Sequence, residues 1–220
     1  MTIGFFLRVE TEKIERKVAS KTHSLARSFD RIIALLVERE YLTTGEQEVT
    51  EHGRRLSRLY SESDLLAAEC LRTGAWQGLG PAELAAVVSS LVYESRRDDA
   101  VSPQVPSGPV SDALVATSRL WSELEDDERR HKLDRTRDPD AGFAWPVMRW
   151  ARGESLEKVL TTASSNGAEL SAGDFVRWCR QVIDLLDQVR VVVGKSDPVG
   201  ASAAKAVTAI RRGVVAAGSV

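Results

Sequence analysis

The sequence predicts a mainly helical protein, in which an antiparallel helical bundle follows part of a winged-helix domain with a short two-stranded wing. Three observations lead to this prediction. Apolar residues recur at three- and four-residue spacing along most of the 220 residues, which is the period of amphipathic helices. From Ser61 onward, no segment shows the apolar and polar alternation that indicates a strand. Glycine and proline separate the periodic segments, at positions where helices end and begin.

The N-terminal segment contains two predicted helices and the wing. Residues 5–20 carry many charges and a narrow apolar seam, which is typical of an exposed helix. A second helix presents one continuous apolar face, which must pack on a partner. The face consists of Leu25, Phe29, Ile32, Ile33, Leu36 and Val37. A turn at Gly45 and a short strand at Val49 complete the wing, and Thr50 is expected to cap the next helix.

The chain is predicted to divide into residues 1–60, with the winged-helix part, and residues 61–220, which form the bundle. The first bundle helix stops at Gly74, and the next has Pro81 at its first position, where the missing N–H of proline leaves no partner unsatisfied. A connector rich in proline, glycine and serine then precedes a helix over residues 110–133.

Four further segments complete the predicted bundle. A helix begins near Pro146 and stops at Gly153, and a short turn follows over residues 155–160. The last two elements are a long helix over residues 171–193 and an alanine-rich helix over residues 201–217. Together with the preceding helices, these segments are predicted to form an antiparallel bundle.

The stretch VVVGKSD, residues 191–197, resembles the end of a phosphate-binding loop, but two features exclude that interpretation. The motif requires a glycine five positions before Gly194, and Val189 occupies that position. The preceding residues also have a helical pattern, whereas the motif follows a strand. We therefore expect Gly194 to end the long helix in a left-handed conformation.

Composition and cysteine content narrow the function classes. A net charge of -2 with 43% hydrophobic residues indicates a globular protein and excludes a uniformly basic coat for nucleic acid. Cys70 and Cys179 lie far apart, without the spacing of a zinc site or a disulfide framework. No segment approaches the ~18 apolar residues of a membrane span. We expect a cytoplasmic protein that holds no metal or cofactor in this chain and contacts no membrane.

Five ordered blocks of sequence resemble a known family. They are RIIALLVEREYL (31–42), a long block from TEHGRRL to VYESR (50–96), MRWARGESLEKVL (148–160), GDFVRWCRQVIDLLDQV (173–189) and AVTAIRRGVVAAG (206–218). Together they resemble the DSHCT domain, the helical C-terminal module of exosome-associated superfamily-two RNA helicases. Within that family, the sequence of the blocks is most similar to the actinobacterial HelY-like helicases. The resemblance implies an accessory C-terminal region of an ATP-dependent RNA or DNA helicase.

The same resemblance implies that the two motor domains, with their ATP and Mg²⁺ sites, lie N-terminal to Met1. No GxxxxGK[ST] motif occurs in this chain, and the acidic run at residues 124–130 is typical of a charged surface. We therefore expect no catalytic residue and no ATPase activity of its own. We also expect a chain cut shortly before the end of the winged-helix domain, monomeric apart from association through the apolar surface that such a cut exposes.

The long helix carries the candidate binding residues. Its polar residues recur at three- and four-residue spacing and form one stripe, made of Arg177, Arg180, Gln181, Asp184, Asp187 and Gln188. The pattern by itself is more typical of an ordinary solvated face. The resemblance implies instead the ratchet helix of relatives, which lies along the single strand leaving the motor. The base-facing pair of that helix falls on Gln181 and Asp184.

The residue types of the stripe suit different parts of a nucleic acid. Arg177 and Arg180 suit phosphates, because a guanidinium binds them through a bidentate fork. Gln181 stands where eukaryotic relatives carry arginine, so it can hydrogen-bond a base edge but cannot stack as a cation. Asp184 can accept from an exocyclic amine and repels phosphate. The mixture predicts weak binding of single-stranded RNA or DNA, as suits a ratchet that lets go between ATP cycles.

Basic and aromatic residues near the C-terminus are further candidates. Lys205, Arg211 and Arg212 form a second basic cluster, although cations at a helix C-terminus also serve to offset the helix dipole. Trp145 and Trp150 are expected to anchor the core or a domain contact, with base stacking as the alternative.

Two alternative functions stay open on the sequence. Charge-mixed helices suit a protein-interaction module that docks on the motor domains of the parent helicase or on another partner. The winged-helix part, from SFDRIIALLVEREYL to VTEHGRRL (28–56), also resembles the wing-bearing half of bacterial DNA-binding regulators, whose recognition helix would offer mainly Arg27, Asp30 and Arg31 to the bases. The large helical body is unlike the ligand or dimer domain of such a regulator.

Overall fold

Helices form nearly all of the regular structure of the chain. A computed structural model describes residues 25–45, 48–95, 104–165, 170–194 and 196–217. In chain order, the helices are α1 (25–38), α2 (Glu51–Leu56), α3 (Asp64–Thr73), α4 (Pro81–Val92), α5 (Pro109–Arg130), α6 (Ala144–Ala151), α7 (Leu156–Ser165), α8 (Ala172–Val193), α9 (Pro198–Ile210) and α10 (Gly213–Ala216). The predicted helical bundle is confirmed, and the helix predicted over residues 5–20 lies outside the described residues. No described helix combines the length and apolar character needed to cross a membrane.

Local sequence sets several helix ends as predicted. The Thr50 side chain accepts a hydrogen bond from the Gly53 amide and so caps α2. Pro81 is the first residue of α4. Gly74 follows α3 with a φ of 76°, the left-handed conformation that glycine adopts without strain. Gly194 follows α8 with a φ of 85°, so the glycine of the GKS stretch ends a helix.

The residues that the structure describes do not form the predicted two-stranded wing. An isolated antiparallel bridge joins Leu42 to Val49, and neither side extends into a strand. Two backbone hydrogen bonds flank the bridge, from the Thr43 amide to the Glu48 carbonyl and from the Thr50 amide to the Tyr41 carbonyl. The ladder extends no further, because elements on both sides use the flanking residues. Tyr41 donates its amide to the Leu36 carbonyl of α1, and Thr50 already caps α2.

Two C-terminal elements also differ from their predictions. The predicted short turn over residues 155–160 is the beginning of α7, because Val159 and Ala163 are buried one turn apart and continue an apolar face. The predicted last helix divides into α9 and α10. Arg212 adopts an extended conformation between them, and Gly213 has a φ of 48°.

The helix α4 lies at the centre of the bundle. Every residue from Leu84 to Leu91 is buried, and α4 packs against α5, α6, α8 and α9. Two serines in this stretch, Ser89 and Ser90, each donate a hydroxyl to a carbonyl of the same helix at 2.7 Å. These bonds satisfy the hydroxyls inside the core. A helix that is apolar on all sides is expected only where other elements surround it.

The connection from α8 to α9 brings two backbone segments together. A Cβ on Gly200 would lie 2.2 Å from the carbonyl oxygen of Gly194, so only glycine fits at the beginning of α9. The close approach lets α9 pack along α8 and also against α4. The position of α8 is therefore fixed from two sides.

A buried charge network ties the N-terminal segment to the bundle. Glu69 on α3 is 1% exposed, and its carboxylate accepts a hydrogen bond from the Tyr41 hydroxyl at 2.7 Å. Arg39 lies 3.3 Å from the Glu69 carboxylate and bonds Asp127 on α5 at 2.7 Å. Burial, followed by the charge of Glu69, raises the pKa of Tyr41 well above its usual value. The network joins the C-terminal end of α1 to α3 and α5.

The predicted apolar face of α1 packs on the bundle only near its C-terminal end. Leu35, which is outside the predicted face, is buried, whereas Leu25, Phe29 and Ile32 are exposed. Helical periodicity identifies an apolar face but not the partner that covers it. The exposed residues form a row on successive turns, which we call the α1 apolar row.

Candidate nucleic-acid interface

The helix α8 has one buried side and one exposed side. The buried side lies in the core and consists of Phe175, Trp178, Cys179, Val182, Ile183, Leu185, Leu186, Val189 and Val192. This agrees with the predicted apolar side, except that Val176 is half-buried. Ser171 caps the helix by accepting a hydrogen bond from the Asp174 amide. The packed side holds the other side in a fixed orientation.

The predicted binding residues lie on the exposed side of α8. Arg177, Arg180, Gln181 and Asp184 are exposed, and Gln188 is half-buried. We call these five residues the α8 row. At 1.5 Å per residue, the row extends about 16 Å along the helix. Along it, two cations are followed by an amide, a carboxylate and a second amide.

The two arginines of the α8 row differ in their contacts. The Arg177 guanidinium lies 4.3 Å from the centre of the Trp178 ring and 3.5 Å from the Asp174 carboxylate. Arg180 makes no hydrogen bond or ion pair with any residue in the part of the chain that the structure describes. Its N–H donors face solvent. Of the two, Arg180 is the more available for a phosphate group.

Acidic groups lie at the C-terminal half of the α8 row. Partial burial raises the pKa of Asp184, the neighbouring charge of Asp187 raises it further, and Arg211 opposes the rise. Asp187 pairs with Arg190 at 2.9 Å and with Arg211 at 3.4 Å. Positive and negative groups are therefore mixed along this part of the surface, which disfavours tight binding of a polyanion.

Gln188 ends the row in a contact that no local sequence pattern indicates. Its side-chain oxygen accepts a hydrogen bond from the Tyr60 amide at 2.6 Å, although the two residues are 128 positions apart. Tyr60 lies in the loop between α2 and α3 and is 79% exposed. The sequence analysis missed Tyr60, because spacing within one helix carries no information about a distant loop. The side-chain NH₂ of Gln188 is still available as a donor.

The secondary basic candidates have different surroundings. Lys205 and Arg211 are exposed. Arg212 instead points into the fold, where it donates to the carbonyls of Trp150 and Glu154, both at 2.6 Å, and lies 3.5 Å from the centre of the Trp150 ring. Desolvation lowers the pKa of Arg212. Because its guanidinium is bonded to two backbone carbonyls and lies over the Trp150 ring, we leave Arg212 out of the candidate interface.

The two tryptophans around Pro146 pack against the core. Trp150 is buried, donates its indole N–H to the Ile210 carbonyl at 2.8 Å and packs edge-on against Phe175. Trp145 is half-buried against the same core. For Trp150, the predicted role as a core anchor is confirmed.

Other groups of chemical interest are buried or already bonded. Burial raises the pKa of Cys70 to about 12 and raises that of Cys179 even further, so neither thiol forms a reactive thiolate near neutral pH. Arg31, which a DNA-binding regulator would direct to bases, donates to the Lys132 carbonyl at 3.2 Å. Among the described residues, no group of three or more histidine, cysteine, aspartate or glutamate side chains is placed to hold a metal ion.

Comparison with known proteins relates the chain to helicases. The model of the DSHCT (NUC185) domain family matches residues 46–217. The chain is 52% identical to the probable helicase HelY of Mycobacterium leprae, over 96% of this chain and 24% of that protein. The identity to HelY of Mycobacterium tuberculosis is 51% over the same shares. A DExH-box ATP-dependent RNA helicase of Arabidopsis thaliana, DExH15 chloroplastic, is 26% identical over 83% of this chain and 16% of its own length. The chain thus spans about a quarter of the length of its HelY relatives.

Proposed function

The chain belongs to the DSHCT family. From this premise we propose that it is the C-terminal region of a helicase and that its α8 row guides the single strand leaving the motor. The observation that carries the proposal is the exposure of Arg177, Arg180, Gln181 and Asp184 on a helix whose other side is held in the core. RNA is the favoured strand, since the plant relative is named an RNA helicase, and DNA is the alternative.

The chemistry of the α8 row suits brief contact with a moving strand. Arg180 and Arg177 bind phosphates, Gln181 hydrogen-bonds a base edge, and Asp184 accepts from an exocyclic amine. The negative charge of Asp184 opposes the phosphates that the arginines attract. Each nucleotide is therefore held weakly and released as the strand advances. In this proposal ATP and Mg²⁺ act in the motor domains of the parent helicase, and the present chain performs no ATPase step.

The proposal is tested by the salt dependence of binding to a fluorescently labelled single-stranded RNA, measured by anisotropy. For a protein that neutralises Z phosphates of a single strand, the slope of log K against log salt concentration is about -0.7Z. The charges of the α8 row and its neighbours lead us to expect Z of about 2 to 4. A chain that binds neither RNA nor DNA at very low salt would overturn the proposal.

Replacing Arg180 by alanine should make the salt dependence shallower by about 0.7, because one phosphate contact is lost. The midpoint of thermal unfolding should stay unchanged, since Arg180 has no polar partner in the described part of the fold. Arg119→Ala is the matched control. The Arg119 side chain on α5 is 81% exposed, and its substitution removes the same charge from another surface. Equal effects of the two substitutions would mean that overall charge, rather than the α8 row, determines binding.

A second candidate function is docking on the motor domains of the helicase, and the α1 apolar row favours it. Phe29 is 62% exposed and lies between the exposed Leu25 and Ile32, an arrangement typical of protein contacts. Replacing Phe29 by serine should weaken binding of the chain to separately expressed HelY motor domains in isothermal titration calorimetry. Oligonucleotide binding should not change, whereas Arg180→Ala should give the opposite pattern. Unaltered motor binding by the serine variant would exclude this row as the docking surface.

A further inference from the structure

We propose that Tyr60 stacks on a base of the single strand at the C-terminal end of the α8 row. The inference rests on the proposed function, and it extends the interface from one helix to the loop between α2 and α3. Aromatic side chains are the usual partners of unpaired bases, because every base offers a flat π-face whatever its sequence. Tyr60 therefore supplies a kind of contact that the α8 row itself lacks.

The backbone at Tyr60 is fixed while its ring stays outside. The preceding residue, Leu59, is buried in the core, and Ser63, three residues later, is buried at the beginning of α3. The Tyr60 amide donates to the side-chain oxygen of Gln188 at 2.6 Å, which attaches the loop directly to α8. A ring on such a backbone loses little further freedom when a base stacks on it.

The Tyr60 ring has no stacking partner within the part of the chain that the structure describes. It is 79% exposed, and its only hydrogen bond among these residues uses the backbone amide. Other aromatic rings of the fold behave differently, as Tyr93 packs between Phe143 and Trp178. An aromatic side chain this exposed, on an anchored loop beside a polar row, is available for an external ligand.

The position of Tyr60 matches the path of a strand along α8. Gln188, its hydrogen-bond partner, lies one turn beyond Asp184 on the helix. Val191, one turn further, is also exposed and adds apolar surface. A strand that meets the arginines near the beginning of the row reaches Tyr60 after about 16 Å, which is room for about five nucleotides at stacked spacing.

The test compares Tyr60→Ala with the unchanged 220-residue chain for binding of a labelled oligouridylate of ~12 nucleotides, a length within the usual range for single-strand sites. Loss of one stacked base should weaken binding at least about fivefold. The same substitution should have no effect on an abasic oligonucleotide of equal length, which keeps the phosphates and lacks the bases. Tyr60→Phe should bind like the unchanged chain, because stacking uses the ring and not the hydroxyl.

Two controls separate this inference from the proposed function. Phe29→Ala removes another exposed aromatic ring, on α1, and should leave oligonucleotide binding unchanged. If the unchanged chain binds and Arg180→Ala weakens it while Tyr60→Ala does not, only the stacking inference fails. If the unchanged chain binds no oligonucleotide, the proposed function itself fails. Equal losses from Tyr60→Ala and Tyr60→Phe, or equal losses on abasic and normal strands, would also overturn stacking.

Discussion

Asp184 places a negative charge within a row that otherwise suits phosphate, and its environment makes that charge less stable than usual. Partial burial and the nearby Asp187 raise its pKa, and Arg211 opposes them. The charged form of Asp184 is thus the form that the fold disfavours. Protonation would remove the repulsion of phosphate and turn one carboxyl oxygen into a donor.

Replacing Asp184 by asparagine should therefore strengthen binding of a single strand near neutral pH. Removing one unit charge about 7 Å from a phosphate in water corresponds to roughly a threefold gain in affinity. The affinity of the unchanged chain should rise as the pH falls through the raised pKa of Asp184, and the asparagine variant should lack this rise. Anisotropy titrations over a pH series measure both effects.

The control for Asp184 is Asp112→Asn, which neutralises an exposed aspartate on α5. Equal tightening by both substitutions would show a general charge effect.

The raised pKa of Asp184 also determines how the stability of the fold changes with pH. Because the folded state binds the proton of Asp184 more tightly than the unfolded state, this stabilisation is present below the ordinary aspartate pKa and is lost as the pH rises through the raised one. The asparagine variant should lack this part of the pH dependence of unfolding.

At the scale of single residues, the sequence predicts exposure better than contact. The spacing of polar residues on α8 correctly places Arg180 and Gln181 on the open side, because one helix determines that arrangement. The spacing cannot indicate that Tyr60 meets Gln188, since their contact depends on how two distant segments pack. The sequence also places Arg211 and Arg212 in one basic cluster, although the two side chains have different environments in the fold.

Among the elements, Arg212 links the break between α9 and α10 to the end of α6. Its guanidinium contacts the fold rather than solvent. It donates hydrogen bonds to the carbonyls of Trp150 and Glu154 and lies over the Trp150 ring. These carbonyls lie at and just beyond the C-terminus of α6, where backbone acceptors have no partner within the helix. One side chain therefore holds three elements together.

Replacing Arg212 by alanine should lower the free energy of unfolding by about 2 kcal/mol, the typical effect of losing hydrogen bonds to a charged group. Arg211→Ala is the matched control, because Arg211 is exposed and its guanidinium lies 3.4 Å from the Asp187 carboxylate. It should change stability by less than about 0.5 kcal/mol. Urea denaturation followed by circular dichroism measures both. Similar losses for the two neighbours would contradict the structural role of Arg212.

Helix ends were predictable where a local residue determines them, as with the Thr50 cap and Pro81 at the beginning of α4. The wing and α7 were not predicted correctly. A strand pair needs chain that α1 and α2 already use, and α7 is stabilised by burial of Val159 and Ala163 rather than by a strong local signal. In both cases the packing of neighbouring elements outweighs the local pattern.

For the molecule as a whole, the sequence predicted the helical bundle and its family but not how the N-terminal segment attaches. The attachment depends on Glu69, which a sequence pattern would place at the surface. Tyr41, Arg39 and Arg72 make its burial favourable, because the Tyr41 hydroxyl donates a hydrogen bond to the Glu69 carboxylate and the two arginines pair with its charge. The α1 apolar row is the opposite case. The apolar pattern predicts burial of Leu25, Phe29 and Ile32, but no described residue covers them.

The central place of α4 has a consequence for how the protein is made. Of its neighbours, α8 and α9 come later in the chain, and α9 ends at Ile210, roughly 120 residues after α4. At about 5 to 20 residues per second, a ribosome needs about 6 to 24 s to add that length. During this interval α4, which is buried from Leu84 to Leu91 in the finished fold, is incompletely enclosed. We therefore expect binding by chaperones during translation to matter more for α4 than for a helix at the surface.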